Sequence, residues 1–282
     1  SVRRHHRLGV TAPGDPTAAV LQWGLPRLRD LPWRHTRDPW AVLVSEVMLQ
    51  QTQASRVVPK WIAFMDAFPT TTACAAASLG DVLRLWQGLG YPRRARNLHA
   101  AATEVERLGA FPDTLDGLLA LPGVGQYTAR AVLAFAFEAD AAVVDTNIAR
   151  VLARVVGGRL TPGAAQRLAD EWAAAGDAWA WNQCLMELGA VLCRPTNPGC
   201  GECPLQRRCA WHGEGDDPAP GSAHVSRPQG RFDGSDRQAR GRLLRALASR
   251  PVPLDEVASV MAREEATACR LVGALREEGL CV

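Results

Sequence analysis

From Pro16 to Cys193 the apolar residues of this 282-residue chain recur every three or four positions, and no convincing stretch alternates with period two. That spacing gathers apolar side chains on one face of a helix and lacks the pattern a sheet requires. PWAVLVSEVMLQQT (39–52), LGDVLRLWQGLG (79–90), RRARNLHAAATEVERLG (93–109) and NIARVLARVV (147–156) all carry it, with Pro, Gly, Thr or Asp at the breaks. The expected fold class is all-α.

The length allows two domains with a sizeable core. A hydrophobic fraction of 47% with 22% charged residues suits a soluble globular protein. No run of eighteen apolar residues occurs and nothing resembles a signal peptide, so a cytoplasmic protein without a membrane partner is expected. Residues 1–15 read as a flexible basic arm, and 213–230, rich in Gly and Pro, as a linker. Residues 231–282 read as a small C-terminal module of two or three helices, winged-helix-like. The net charge of +3 permits a nucleic-acid partner without demanding one.

Four of the 8 cysteines fall within one short run, Cys193-x6-Cys200-x2-Cys203-x5-Cys209. A disulfide framework fits a large cytosolic chain poorly, whereas four thiolates suit one metal centre. Zinc accepts such a set, although zinc sites usually use two close CxxC pairs and only one is present. A [4Fe–4S] cluster tolerates the uneven loops.

LPGVGQYTARAVLAFAF (121–137) sends a Pro-Gly-Val-Gly turn straight into an apolar helix. Gly123 and Gly125 remove side chains where the backbone comes close to something, and the N–H groups around Gln126 to Thr128 open the helix with its dipole behind them. Such an end suits an anion such as a DNA phosphate, although a tight turn between helices is the commoner use of Gly-x-Gly.

Two carboxylates stand out. Glu46 lies among Val44, Val47, Met48 and Leu49, where desolvation would raise its pKa toward that of a general acid. Asp145 opens VVDTNIARVLARV and reads as a helix N-cap that can also face a cleft. Paired carboxylates are the usual equipment for hydrolysing a glycosidic link through an oxocarbenium-like state.

The cysteine spacing after a helix-hairpin-helix turn resembles the iron–sulfur DNA glycosylases of the endonuclease III superfamily. RDLPWR (29–34), SEVMLQQTQ (45–53), GLGYPRRARNL (88–98), LPGVGQYTA, VVDTNIARV and NQCLMELGA (182–190) extend that likeness over residues 17–212 to the A/G-mismatch adenine DNA glycosylases. The resemblance implies a two-lobed fold. A helical barrel lobe (31–143) ends in the hairpin, and an iron–sulfur lobe is made from 16–30 and 144–212. Glu46 and Asp145 would then face a common cleft.

It further implies a monomer acting on double-stranded DNA with A:8-oxoguanine or A:G mispairs, nucleoid-associated and bacterial, with a structural [4Fe–4S] cluster on Cys193, Cys200, Cys203 and Cys209. By the same resemblance Glu46 protonates the flipped adenine and later activates water, while Asp145 stabilises or captures the sugar cation with help from Tyr127. Arg29, Leu31, Trp33, Arg34 and Glu187 would line the base pocket. Leu49, Gln51 and Tyr91 would wedge into the duplex, and Gly123, Gly125 and Gln126 would grip its backbone. The endonuclease III branch carries a nucleophilic lysine where this chain has Tyr127, and the sole lysine, Lys60, lies in a separate helical segment. A bifunctional pyrimidine-lesion glycosylase/lyase and a non-catalytic iron–sulfur DNA-binding protein are the competing readings. The family's usual large 8-oxoguanine-reading domain does not fit within residues 231–282.

Overall fold

The computed structural model describes residues 16–173, 177–226 and 230–281; the basic arm and residues 227–229 of the expected linker lie outside them. The described residues form α-helices and short 3-10 turns with no strand, as the periodicity requires. In chain order the helices are α1 (Pro16–Gly24), α2 (Pro39–Leu49), α3 (Ala54–Ala67), α4 (Thr71–Ala76), α5 (Leu79–Trp86), α6 (Arg93–Leu108) and α7 (Leu115–Leu119). They continue as α8 (Gln126–Ala136), α9 (Thr146–Val156), α10 (Pro162–Ala173), α11 (Ala178–Val191), α12 (Asp236–Leu247), α13 (Leu254–Met261) and α14 (Glu265–Glu277). Thr70, Ser78, Thr114, Asp145, Asp177 and Ser235 each accept a backbone N–H of the helix they open, which satisfies donors that have no partner inside the helix.

The chain divides into two compact units, one of residues 1–31 with 129–227 and the other of 32–128 with 228–282. The first unit is built on α1, α9 and α11. Gly24 lets α1 approach α11 closely, because a Cβ there would stand 2.5 Å from that of Cys184. Leu31 and residues 129–143, expected in the barrel lobe, fall in this unit, and for 141–143 the reason is local. Asn182 on α11 accepts from Val143 N at 3.1 Å and donates to Ala141 O at 2.8 Å, which pins the extended segment to the helix. Residues 213–226 of the expected linker are likewise held in this unit: Asp217 pairs with Arg154 at 2.6 Å, Ala219 and Ser222 are buried, and Ser222 Oγ accepts from Leu160 N. Their Gly- and Pro-rich composition serves turns packed on the unit rather than a tether.

The second unit packs α2 to α7 around Trp40, Phe64, Phe68 and Trp86, whose rings meet mostly edge to face at centroid separations of 5.1–6.4 Å. The C-terminal module belongs to this unit. Its core of Leu243, Val257, Met261, Leu271 and Leu275 takes in Leu83 from α5, and Arg96 on α6 donates to the carbonyl of Glu278. Residues 230–281 form three helices without a strand among the described residues, so the winged-helix reading is corrected to a wingless three-helix module. Pro251 and Pro253 break the chain between α12 and α13, where a helical rather than an alternating apolar period resumes.

In the hairpin turn the two glycines differ. Gly123 has φ +78° and a Cβ there would come within 2.6 Å of Asn97 on α6, whereas Gly125 has open space around it. Gly123→Ala is expected to cost about 1–2 kcal/mol, and Gly125→Ala a few tenths at most. Thermal melts of the two variants check this, and equal melting temperatures would contradict it.

Candidate active site

In the second unit, Glu46 is buried near the end of α2, and the Tyr127 hydroxyl from the first turn of α8 donates to its Oε2 at 2.8 Å. The apolar run around Glu46 buries it, and the turn at 121–125 sets where α8 begins, so the two side chains meet across 81 positions of sequence. Tyr127 stands half-buried beside the carboxylate, and Lys60 is elsewhere, on α3 beside Gly88.

The carbonyls that end α2 converge on one buried arginine. Arg94 donates to Val47 O, Met48 O and Gln50 O, and from its other terminal nitrogen to Leu89 O, Gly90 O and Thr52 Oγ1, at 2.5–3.2 Å. Burial lowers its pKa to about 10, still well above neutrality. This hub fixes the two segments that carry Leu49, Gln51 and Tyr91. Gln51 (φ +55°) and Tyr91 (φ +49°) both adopt the left-handed backbone, uncommon for residues other than glycine. Sequence reasoning missed Arg94, although a signal was present: Arg94, Leu98, Ala101 and Val105 share one buried stripe of α6.

Trp33 is buried edge-on against Trp61 at 6.1 Å, the packing of a core residue, and Arg34 is half-buried on the same 3-10 turn. Gln126 is exposed at the start of α8, as are Gly123 and Gly125 before it.

In the first unit, Asp145 caps α9, its Oδ1 accepting from Asn147 N at 3.0 Å and Ile148 N at 2.7 Å and its Oδ2 from Asn147 Nδ2 at 2.8 Å. Burial raises its pKa, against the opposing pull of these donors and of Arg150. The Asp145 carboxyl is thus held by fixed backbone and side-chain dipoles at the opening of α9. Glu187 is fully buried on α11 and pairs with Arg29 at 2.5 Å, which joins two of the expected pocket residues; Leu31 is half-buried two residues on.

The four cysteines line one pocket, together with Arg154, Leu192, Pro198, Gly199, Trp211 and His212. None is in a disulfide. Arg154 Nη1 and the His212 N–H each lie 3.3 Å from a sulfur, of Cys193 and Cys209 respectively. Burial pushes the Cys193, Cys200 and Cys203 thiols upward, the last to about 11, and a positive centre among them would favour their thiolates. Among the described residues no group of three or more His, Cys, Asp or Glu side chains stands ready to hold a metal ion. The donor set itself, four free thiols on one pocket with cationic and N–H donors around it, fits an iron–sulfur cluster. No described helix is long and apolar enough to cross a membrane.

Residues 44–174 match the HhH-GPD superfamily of base excision DNA repair proteins, which defines the class. An adenine DNA glycosylase of Mycolicibacterium smegmatis is 43% identical over 270 residues, 93% of this chain and 90% of that protein. That of Mycobacterium tuberculosis is 45% identical over 83% of this chain and 79% of its own, and the human one 43% identical over 68% of this chain but only 38% of its own. The chain belongs to the adenine DNA glycosylase family of that superfamily. Among solved structures, a thermostable thymine-DNA glycosylase is 31% identical with a TM-score of 0.66, over 70% of this chain and 94% of that one. Endonuclease III in a non-covalent DNA complex shares the fold at a TM-score of 0.60 and 22% identity, over 70% of this chain and 92% of its own.

The raised pKa of Asp145 has a stability consequence. A carboxylate whose folded pKa lies above its free value of 3.8 costs stability once pH exceeds that value, and the cost fades as pH falls below it. The stability of Asp145→Asn relative to the wild type is therefore expected to improve from pH 4 to pH 7, as read by melting temperature. The opposite trend would show that the capping hydrogen bonds outweigh burial.

Proposed function

We propose that this protein hydrolyses the N-glycosidic bond of adenine paired with 8-oxoguanine or guanine in duplex DNA and leaves the strand uncut. The observation that carries this reading is the Tyr127–Glu46 hydrogen bond: a buried carboxylate held by a phenol, at the place where the lyase branch carries an amine. A base still stacked in a duplex is out of reach of a buried carboxylate, so the adenine must be flipped out first. Glu46 gives its proton to a ring nitrogen of the adenine, and the bond to the sugar breaks as the electron pair leaves with the base. The Asp145 carboxylate stabilises the resulting sugar cation. Glu46, now ionised, takes a proton from the attacking water, whose oxygen completes the abasic sugar, and Tyr127 keeps the carboxylate oriented through both steps.

Arg29, Leu31, Trp33, Arg34 and Glu187 are assigned to the base, Glu187 being the acceptor that Arg29 holds in place. Leu49, Gln51 and Tyr91 are assigned to the duplex wedge, and the exposed backbone at Gly123, Gly125 and Gln126 to a phosphate. Cys193, Cys200, Cys203 and Cys209 would hold a structural [4Fe–4S] cluster that shapes the 194–199 loop; bound there, it supplies charge and cross-linking rather than a reaction step. Close relatives among mycobacterial adenine glycosylases support a bacterial, cytoplasmic setting on chromosomal DNA.

Single-turnover release of free adenine from an A:8-oxoguanine duplex tests the chemistry. Glu46→Gln should retain binding and lose on the order of 10²–10⁴ in rate, the usual worth of a positioned general acid. A near-normal rate would remove Glu46 from that role. The product strand should stay intact until alkali is added, with little enzyme trapped by borohydride, because no lysine stands at 127. Efficient trapping of the wild type would instead favour the lyase reading. For the cofactor, protein purified without oxygen should carry about four irons and no stoichiometric zinc; one zinc and no iron would refute the cluster.

A further inference from the structure

Tyr91 is held from two sides by arginines that come from different parts of the second unit. The Arg94 guanidinium lies over its ring at 5.4 Å from the centroid. The Arg237 Nη1, from the first turn of α12 in the C-terminal module, donates to its hydroxyl at 3.1 Å, while Nη2 of the same guanidinium donates to Gly230 O at 2.7 Å. Despite these contacts the ring stays 37% exposed. Its backbone is left-handed and lies just after Gly88 and Gly90, both also at positive φ. The module that supplies Arg237 is anchored to the helix that follows Tyr91. Arg96 on α6 donates to Glu278 O, Arg240 on α12 pairs with Glu278 at 2.6 Å, and Leu83 on α5 packs on the module's core.

We propose that the C-terminal module sets opposite-base discrimination through Arg237, a positioning residue that fixes the orientation of the Tyr91 ring. This rests on the reading of Tyr91 as part of the duplex wedge. A phenol carried on two rotatable bonds, Cα–Cβ and Cβ–Cγ, can swing between orientations. A charge-assisted bond at its hydroxyl together with a cation over its face leaves one of them. A wedge with one orientation meets the base opposite the excised adenine in one geometry, so a base with a different edge or tilt fits it less well. Phosphate contacts alone could not do this, because they carry no information on base identity. Two of the five N–H donors of Arg237 bridge Tyr91 and Gly230, so one guanidinium ties the 88–91 loop to the module.

The test measures single-turnover adenine release from A:8-oxoguanine and A:G duplexes by the full chain and by Arg237→Ala, Arg237→Lys, Tyr91→Phe and the Arg237→Ala/Tyr91→Phe pair. Losing the hydroxyl and losing its partner remove the same bond. Each should therefore lower the ratio of the two rates by roughly fivefold, and the pair by no more than either alone. Arg237→Lys, which can still donate, should recover most of the ratio. An unchanged ratio in Arg237→Ala, with weaker binding to every duplex and a salt slope reduced by about one, would make Arg237 a phosphate contact and overturn the proposal. A lowered ratio in Arg237→Ala with an intact one in Tyr91→Phe would overturn it too. Tyr91→Ala separates the two levels: if it leaves the ratio intact, the wedge reading itself has failed, and if it lowers the ratio while Arg237→Ala does not, only the strut has.

Discussion

The second unit is organised around one guanidinium. Arg94 takes the last carbonyls of α2, which have no partner within the helix, and in the same plane takes those of Leu89 and Gly90. A cation at the C-terminal end of a helix is favoured by the helix dipole, and burial among carbonyls replaces the water it gave up. Its Nε is the one buried side-chain nitrogen or oxygen among the described residues without a partner, so the fit is made by the fork alone. Lysine, a point charge on a flexible stem, could not span both sets of carbonyls. Because the hub closes α2 a few residues after Glu46 and sets the loop at 88–91, the proposed acid and the proposed wedge share one fixed frame.

The first unit repeats the device on α9. Arg150 joins Cys193 O at 2.7 Å, Gly189 O at 2.6 Å and Asn147 Oδ1 at 2.9 Å, and Asn147 holds Asp145. One turn on, Arg154 reaches the carbonyls of Cys193 and Arg194, pairs with Asp217 and lies 4.4 Å from the Trp211 ring. A continuous set of hydrogen bonds therefore runs from the cysteine loop to the capping carboxylate, along a single helix of roughly 15 Å. Gly189 keeps the two helices close enough for it, since a Cβ there would stand 2.6 Å from that of Asn147. Buried ions of this kind are costly unless every donor is used, and here the guanidiniums are spent on carbonyls and one acid.

What could be read from the sequence was whatever is local. The helical period, the capping residues and the turn at Gly123 depend on a few neighbours each, and the resemblance supplied the order of the motifs. The arginine hubs depend on long-range placement. In GLGYPRRARNL three arginines are equivalent by composition, and only the phase of the buried stripe separates Arg94 from Arg93 and Arg96. The stretch 213–226 misled for a related reason: Gly and Pro mark turns whether or not the turns are packed, and Asp217 gave no local sign of its partner 63 positions away. Trp33 shows the converse. Its assignment to the base rests on the resemblance alone, since its buried contact with Trp61 is one that any core tryptophan would make.

On the proposed mechanism, with Glu46 as the proton donor, a tyrosine at 127 suits the charge balance at Glu46. An ammonium within hydrogen-bonding distance of that buried carboxylate would hold it ionised, leaving no proton to give to a departing base. A phenol supplies the same geometric restraint without a formal charge, at 2.8 Å and from the rigid first turn of a helix. A proton donor and an imine-forming amine thus place opposite demands on one position. A chain with tyrosine there is suited to hydrolysis by protonating the leaving base, and with the lone lysine on α3 beside Gly88 it has no amine at that position to turn the sugar into a covalent intermediate.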